Sequence, residues 1–243
     1  MNVWSISDIG AVRQQNQDAF QVETFSPESG LYVVCDGMGG ARAGNVASQV
    51  AAETFCDAMK ERFADPEQTG EISELLQQSV IMANRVVWHR GNIDPGCLGM
   101  GTTLVAAYVD GSAIHVVNVG DSRAYMINAE GIRRITQDHS VVEEMVQRGE
   151  ITPEQARVHP QKNLITRALG AMEAVKSDVF EESCVEGNYL LLCTDGLTNV
   201  MTDQEILYEV IHGGAVEDCC KRMLDTVLSR GAPDNVTIVL VQL

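Results

Sequence analysis

Apolar residues follow two periods along the chain. Val3–Ile9, Ala19–Phe25 and Leu31–Asp36 read as strands, the last two joined by the turn-forming stretch SPESG. The period then changes. Val46, Val50, Phe55, Met59 and Phe63 recur at helical spacing with alanines on the same face. Ile72, Leu75, Leu76, Val80, Ala83, Val86 and Val87 repeat the pattern, which predicts two long amphipathic helices in succession. TTLVAAYV and SAIHVVNV flank Asp110-Gly111, a two-residue hairpin signal, and RAYMI, closed by NAEG, completes an antiparallel meander. NYLLLC and VTIVLVQL are two further strands with two helices between them. The first helix opens on a capping box of Thr202 and Glu205; the second carries Val216, Cys219, Met223, Leu224 and Val227. Residues 138–171 are polar, with few apolar anchors and a short capping box at Thr152-Pro153 with Gln155, and read as a surface flap subdomain. Strands in blocks and helices in pairs predict an α+β fold with antiparallel sheets.

Composition narrows the function classes. The 243 residues, with no internal repeat or linker, suit one domain over 1–243 with a sizeable core. A net charge of −17, from 34 acids against 17 Lys and Arg, argues against nonspecific binding to nucleic acid or an anionic membrane. The same field repels a phosphate ligand, so arginines or bound metals must reverse it locally. No stretch approaches the roughly 18 apolar residues of a membrane span, and MNVWSISDIG has no basic or apolar leader segment. Seven scattered cysteines without a CxxC pair point to a reduced, cytoplasmic protein.

The candidate chemistry lies in aspartates at the ends of apolar runs: Asp36 in VVCDG, Asp121 in NVGDSR, Asp195 in LLCTDG and Asp234 in GAPDNVT, with Asp18 in NQDAF as a fifth. One Asp-Gly alone is more often a turn than a ligand. Several emerging from buried strands would repel one another and lose solvation, unless hard divalent cations sit between them. Mg²⁺ and Mn²⁺ prefer oxygen ligands and retain waters, and glycine after the aspartate lets a backbone carbonyl approach.

SDIGAVRQQNQDAF, YVVCDGMGG, GTTLVAAYV, HVVNVGDSRAY, TQDHS, LITRALG, LLLCTDGLTN and APDNVTIVLV occur in that order. Together they resemble the metal-dependent PPM/PP2C Ser/Thr protein phosphatases, in particular the bacterial single-domain branch. The resemblance spans essentially the whole chain. It implies a four-layer α-β-β-α sandwich with a metal cleft at one end. It implies that Asp36 bridges two Mn²⁺ or Mg²⁺ ions. Asp195 and Asp234 complete the first, and the Gly37 carbonyl and waters hold the second. Asp121 with Asp195 matches a third, weaker metal position. Arg13 matches the arginine that grips substrate phosphate, Asp18 would orient metal-bound water, and Asn235 would support Asp234. The implied reaction is hydrolysis of phosphoserine and phosphothreonine in proteins by metal-activated water. The implied partners are phosphoproteins and a cognate Hanks-type Ser/Thr kinase, including pairs linked to type VI secretion, with the phosphatase acting as a monomer.

Met38 stands where eukaryotic relatives carry a histidine, and Gln17 where others carry Glu, so the proton for the leaving group comes from water, His139 or His159. His115 reads as a core residue, His89 and His212 as helix-end residues, and no histidine pairing favours zinc. Arg148, Arg157 and Arg167 read as solvated flap charges or as contacts to the phosphoprotein. Three rivals remain. A cysteine phosphatase needs a C-x5-R loop, and Cys35 and Arg42 are one residue too far apart. GMGGARAG is neither GxGxxG nor a P-loop, and reads as a close turn into a helix from Ala43. A non-catalytic binding module on the same fold would lack the metal ligands.

Overall fold

The structure is a computed structural model and describes residues 1–39, 43–64 and 70–243. In chain order its strands are β1 (Asn2–Asp8), β2 (Asp18–Ser26), β3 (Ser29–Met38), β4 (Gly101–Thr102), β5 (Leu104–Val109), β6 (Ala113–Val119), β7 (Arg123–Asn128), β8 (Gly131–Arg134), β9 (Asp178–Ser183), β10 (Tyr189–Cys193) and β11 (Val236–Gln242). The helices are α1 (Ala43–Ala64), α2 (Ile72–Ile93), α3 (Val141–Gln147), α4 (Pro153–Arg157), α5 (Asp195–Thr198), α6 (Asp203–Ile211) and α7 (Cys219–Ser229). The strands form two antiparallel sheets: β1-β11-β10-β7-β8, and β2-β3-β5-β6-β9 with the short β4 on β3.

Side chains along a strand alternate between faces, and here both faces are covered. In β3, Leu31, Val33 and Cys35 pack under α1 and α2, whereas Tyr32 and Val34 point into the space between the sheets. In β10, Leu191 and Cys193 pack with α6 and α7, and Leu190 and Leu192 face the other sheet. This double burial explains why LYVVC and YLLLC are continuous apolar runs rather than alternating ones. The result is four layers, helices–sheet–sheet–helices, with three apolar seams.

β8 and β9 carry no strong strand signal in the sequence, and each is the edge of its sheet. GIRR and DVFEES bear charges where interior strands bear apolar residues, the usual protection of an edge. β3 also continues past Asp36 to Met38, because Gly37 and Met38 pair with β4. The hairpin turn sits one residue later than Asp110-Gly111. Gly111 takes φ +86° as the first central residue, and the Asp110 carboxylate accepts from the Ser112 and Ala113 amides at 3.0 and 2.8 Å. In α2, Val86 is exposed rather than buried, because Asn84 occupies the inner face. The turn expected over GMGGARAG runs through residues 40–42, which lie outside the described residues, as does Arg42 itself.

Candidate metal centre

At one end of the sandwich the seam between the sheets turns polar. Along each strand the inward parity that buries Val22, Val34, Val105, Met126, Leu192 and Val239 reaches a polar residue here: Asp18, Asp36, Thr103, Ser122, Thr194 and Thr237. Asp18 and Asp36 are direct cross-strand partners on β2 and β3. The Asp18 carboxylate lies between the sheets. Its Oδ2 accepts from the hydroxyls of Thr237 and Thr194 at 2.7 and 2.9 Å, while its buried Oδ1 has no partner among the described residues. The Asp36 amide donates to Thr103 Oγ1 at 2.9 Å, and Thr103 shares a 2.7 Å hydrogen bond with Ser122. Thr103, Ser122, Thr194 and Thr237 escaped the reading of the sequence as site residues; strand parity is the signal that points to them.

Three loops bring the remaining groups to this end. Asp195 opens α5 directly after Thr194. Gly196 lets that turn lie against the Asp234-Asn235 loop, since a Cβ there would stand 1.9 Å from the Asn235 carbonyl oxygen. Asn235 ties the loop to the segment carrying Arg13: its Nδ2 donates to the carbonyls of Ile9 and Gln15 at 2.9 and 3.0 Å, and its Oδ1 accepts from the Gln17 amide at 2.8 Å. Asp121 follows Gly120, whose amide donates to His139 Nδ1 at 3.0 Å. A cleft of about 240 Å³ forms over these groups, lined by Asp36, Gly37, Asp121, Asp195, Asp234 and Arg13, with Asn163 and Ile165 contributed by the flap.

The electrostatics show how closely the carboxylates crowd. Asp36, Asp121, Asp195 and Asp234 keep some surface in the cleft, whereas Asp18 is buried and does not line it. Burial first, then Asp18, Asp195, Asp121 and Asp234, push Asp36 well above the ordinary carboxylate range. Burial and Asp195 raise Asp121 to about 8, and burial and Asp234 raise Asp195 to about 6. Burial raises Asp18 to about 7 against the pull of its two threonines. Asp195 Oδ2 accepts from Asn199 Nδ2 at 2.8 Å, but its buried Oδ1 has no partner among the described residues. Arg13 Nη2 donates to Asp234 Oδ2 at 2.7 Å; that bond above all raises the arginine, with Asp36 and Asp195 adding to it. Among the described residues no three Asp, Glu, His or Cys side chains meet at one point. The carboxylates ring the cleft instead, a donor set for ions that keep several waters. Hard divalent cations fit it: the donors are oxygens, two buried carboxylate oxygens lack partners, and the mutual repulsion calls for positive charge.

The profile of the family described as Protein phosphatase 2C matches residues 11–240. The chain belongs to the protein phosphatase 2C family. It is 36% identical over 236 residues to the serine/threonine phosphatase Stp of Listeria innocua, covering 97% of this chain and 93% of that one. It superposes on the crystal structure of the serine/threonine phosphatase Stp1 from Staphylococcus aureus with a TM-score of 0.88 at 35% identity, over 99% and 94% of the two chains. It matches the catalytic domain of the serine/threonine protein phosphatase PstP, solved in complex with two manganese ions, with a TM-score of 0.84 at 32% identity, over 99% and 97%.

Within this protein phosphatase 2C chain, other sequence candidates fall away from the cleft. His139 is buried; it accepts the Gly120 amide on Nδ1 and pairs with Asp178 through Nε2 at 3.0 Å, and burial lowers its pKa. With both nitrogens engaged, it clamps the Asp121 turn to β9, and Thr166 N–H donates to its carbonyl at 2.7 Å. His159 Nδ1 accepts the Gln161 amide in a local turn. Neither histidine lines the cleft, whereas Met38 does. Arg167 is bound to Asp178 at 2.9 Å, Arg148 to Glu144 at 3.0 Å, and Arg157 faces Asp203 at 3.8 Å. None of the three lines the cleft. His115 is buried beside Tyr108, as expected, and His212 caps α6. Cys35 is fully buried, and burial raises its thiol well above the ordinary value with Asp18 and Asp36 adding, which leaves no thiolate nucleophile there.

Proposed function

We propose that the chain hydrolyses phosphoserine and phosphothreonine monoesters in proteins at a binuclear Mn²⁺ or Mg²⁺ centre. The observation that carries the proposal is the convergence of Asp36, Asp121, Asp195, Asp234 and Arg13 on one cleft. Asp36, Asp195 and Asp234, with the Gly37 carbonyl, would hold the two ions. Asp121 with Asp195 would offer a third, weaker position. Bound there, such ions would lower the pKa of water and offset charge on the phosphoryl oxygens.

The chain's own groups supply the rest. Arg13 is more than half exposed and leaves Asp234 to give two parallel hydrogen bonds to the phosphoryl group. Asp18, held by Thr194 and Thr237, has one carboxylate oxygen left to accept a hydrogen bond from water and orient it. Among the described residues no histidine lines the cleft, so the departing serine or threonine oxygen takes its proton from water. The named relatives are serine/threonine phosphatases; by analogy this chain would act as a cytoplasmic monomer opposing a Ser/Thr kinase.

The test is hydrolysis of phosphothreonine and phosphotyrosine peptides with Mn²⁺ and with EDTA, for the native chain and Asp36→Asn. Turnover of phosphothreonine should require metal and fall by at least about 100-fold in the variant. Metal-independent turnover overturns the reading, and so does an active variant.

A further inference from the structure

The solvent-facing side of α2 carries an acid-free stretch. From Leu75 to Ile93 there is no acidic residue, in a chain whose acids outnumber Lys and Arg 34 to 17. Met82, Arg85, Val86, His89, Arg90 and Ile93 are all exposed and follow one helical stripe, at i, i+3, i+4, i+7, i+8 and i+11. Ile93 is 65% exposed, and Leu98 just beyond it 74%. A shallow groove of about 520 Å³ runs along the C-terminal half of the stripe, walled chiefly by apolar atoms of Arg85, Val86, His89, Arg90 and Ile93. Asp94 closes its end, with its carboxylate already accepting from the Gly96 amide at 2.8 Å and the Cys97 thiol at 3.4 Å. Neither Arg85 nor Arg90 joins an ion pair among the described residues.

Single exposed apolar residues are ordinary; a stripe of them interleaved with unpaired cations on an acidic protein is a complementary surface for something acidic and apolar. The net charge of −17 selects among occupants. An anionic bilayer and a second copy of the chain both bring a large opposing field, whereas a short segment carries few charges and meets the local cations only. We propose that the outer face of α2 docks a short acidic, apolar-bearing segment of a protein partner. Its apolar side chains lie on Met82, Val86 and Ile93, and its carboxylates reach Arg85 and Arg90. The docked helix is also the one that holds the arm leaving the flap. On its inner side, Asn84 Oδ1 accepts the Gly170 amide at 2.8 Å, and Asn84 Nδ2 donates to the carbonyls of Met172 and Glu173 at 3.1 and 2.9 Å.

The experiment titrates the isotope-labelled full chain by NMR with a short synthetic amphipathic peptide of Glu and Leu, and with its Lys-for-Glu counterpart. The acidic peptide should shift amides centred on Met82 to Ile93 and weaken as salt rises. Arg85→Glu/Arg90→Glu should cost at least about tenfold in affinity, with Ile93→Ser as a second, uncharged variant that also weakens it; turnover of a small aryl phosphate should stay unchanged. Absent or scattered shifts, equal binding of the Lys peptide, or undiminished binding by the charge-reversed variant overturn the proposal. It is equally overturned by a dimer that dissociates in that variant, which assigns the face to a second copy. Co-sedimentation with phosphatidylserine vesicles that the variant abolishes assigns it to lipid and overturns it too.

Discussion

His139 shows how far one residue's surroundings settle its role. Its Nδ1 accepts the Gly120 N–H and its Nε2 faces Asp178, so the neutral ring is held in one tautomer between the Asp121 turn, β9 and the flap base. A proton donor for the leaving group must reach the cleft, and this ring does not. His139→Ala should therefore lower turnover of a phosphothreonine peptide and of an aryl phosphate by the same factor. The aryl leaving group needs little protonation, so a general acid would show as a larger loss on the peptide. Steady-state kinetics on the two substrates read the difference, and a loss confined to the peptide would return the acid role to His139.

At the scale of elements, α6 is secured by local chemistry legible in the chain. Thr202 Oγ1 accepts the Glu205 amide at 3.3 Å, and Glu205 Oε2 accepts the Thr202 amide at 2.8 Å. Thr202→Ala should cost about 1 kcal/mol, measured by denaturant unfolding, with the slope unchanged and the midpoint shifted. The same capping logic applies at Thr152 in the flap, whose helix α4 buries no residue and rests on its cap instead of on packing. Elements whose stability comes from neighbours are less legible. β8 and β9 form because a complete strand already lies beside them, and their own residues mark them only as polar.

For the whole molecule, the crowded carboxylates make metal-free stability depend on pH. Asp18 and Asp121 rise to about 7 and about 8 in the folded state, against an unfolded carboxylate near 3.9. Between those values the folded state binds more protons than the unfolded, so stability falls as pH rises and the loss is complete above the folded values. His139 is lowered in the fold and works in the opposite sense, but only below about pH 6.5, where the unfolded imidazole takes up a proton. The clean window is therefore above that. In EDTA, the melting temperature should drop between roughly pH 6.5 and 8.5, and Mn²⁺ should restore more at the upper end than at the lower. A metal-free melting temperature that is flat or rises over this window contradicts the crowding.

The local pattern was sufficient for most strands, both long helices, the capping boxes and the layered α+β class, because apolar period and cap chemistry act over a few residues. It also marked Asp18, Asp36, Asp121, Asp195 and Asp234 as costly to bury, and the motif order named the family they belong to. Spacing could not show that Asp36, Asp121, Asp195 and Asp234 line one cleft with Asp18 buried beside Asp36. That depends on strand register: Asp18 pairs with Asp36, Thr194 and Thr237 cross from the other sheet, and a glycine lets the Asp195 turn press on the Asp234 loop. Nor could the helical period tell that Val86 faces water, since a buried Asn84 holding the flap arm takes the inner face. Contacts between residues distant in the chain depend on packing geometry, and packing is a property of the assembled layers.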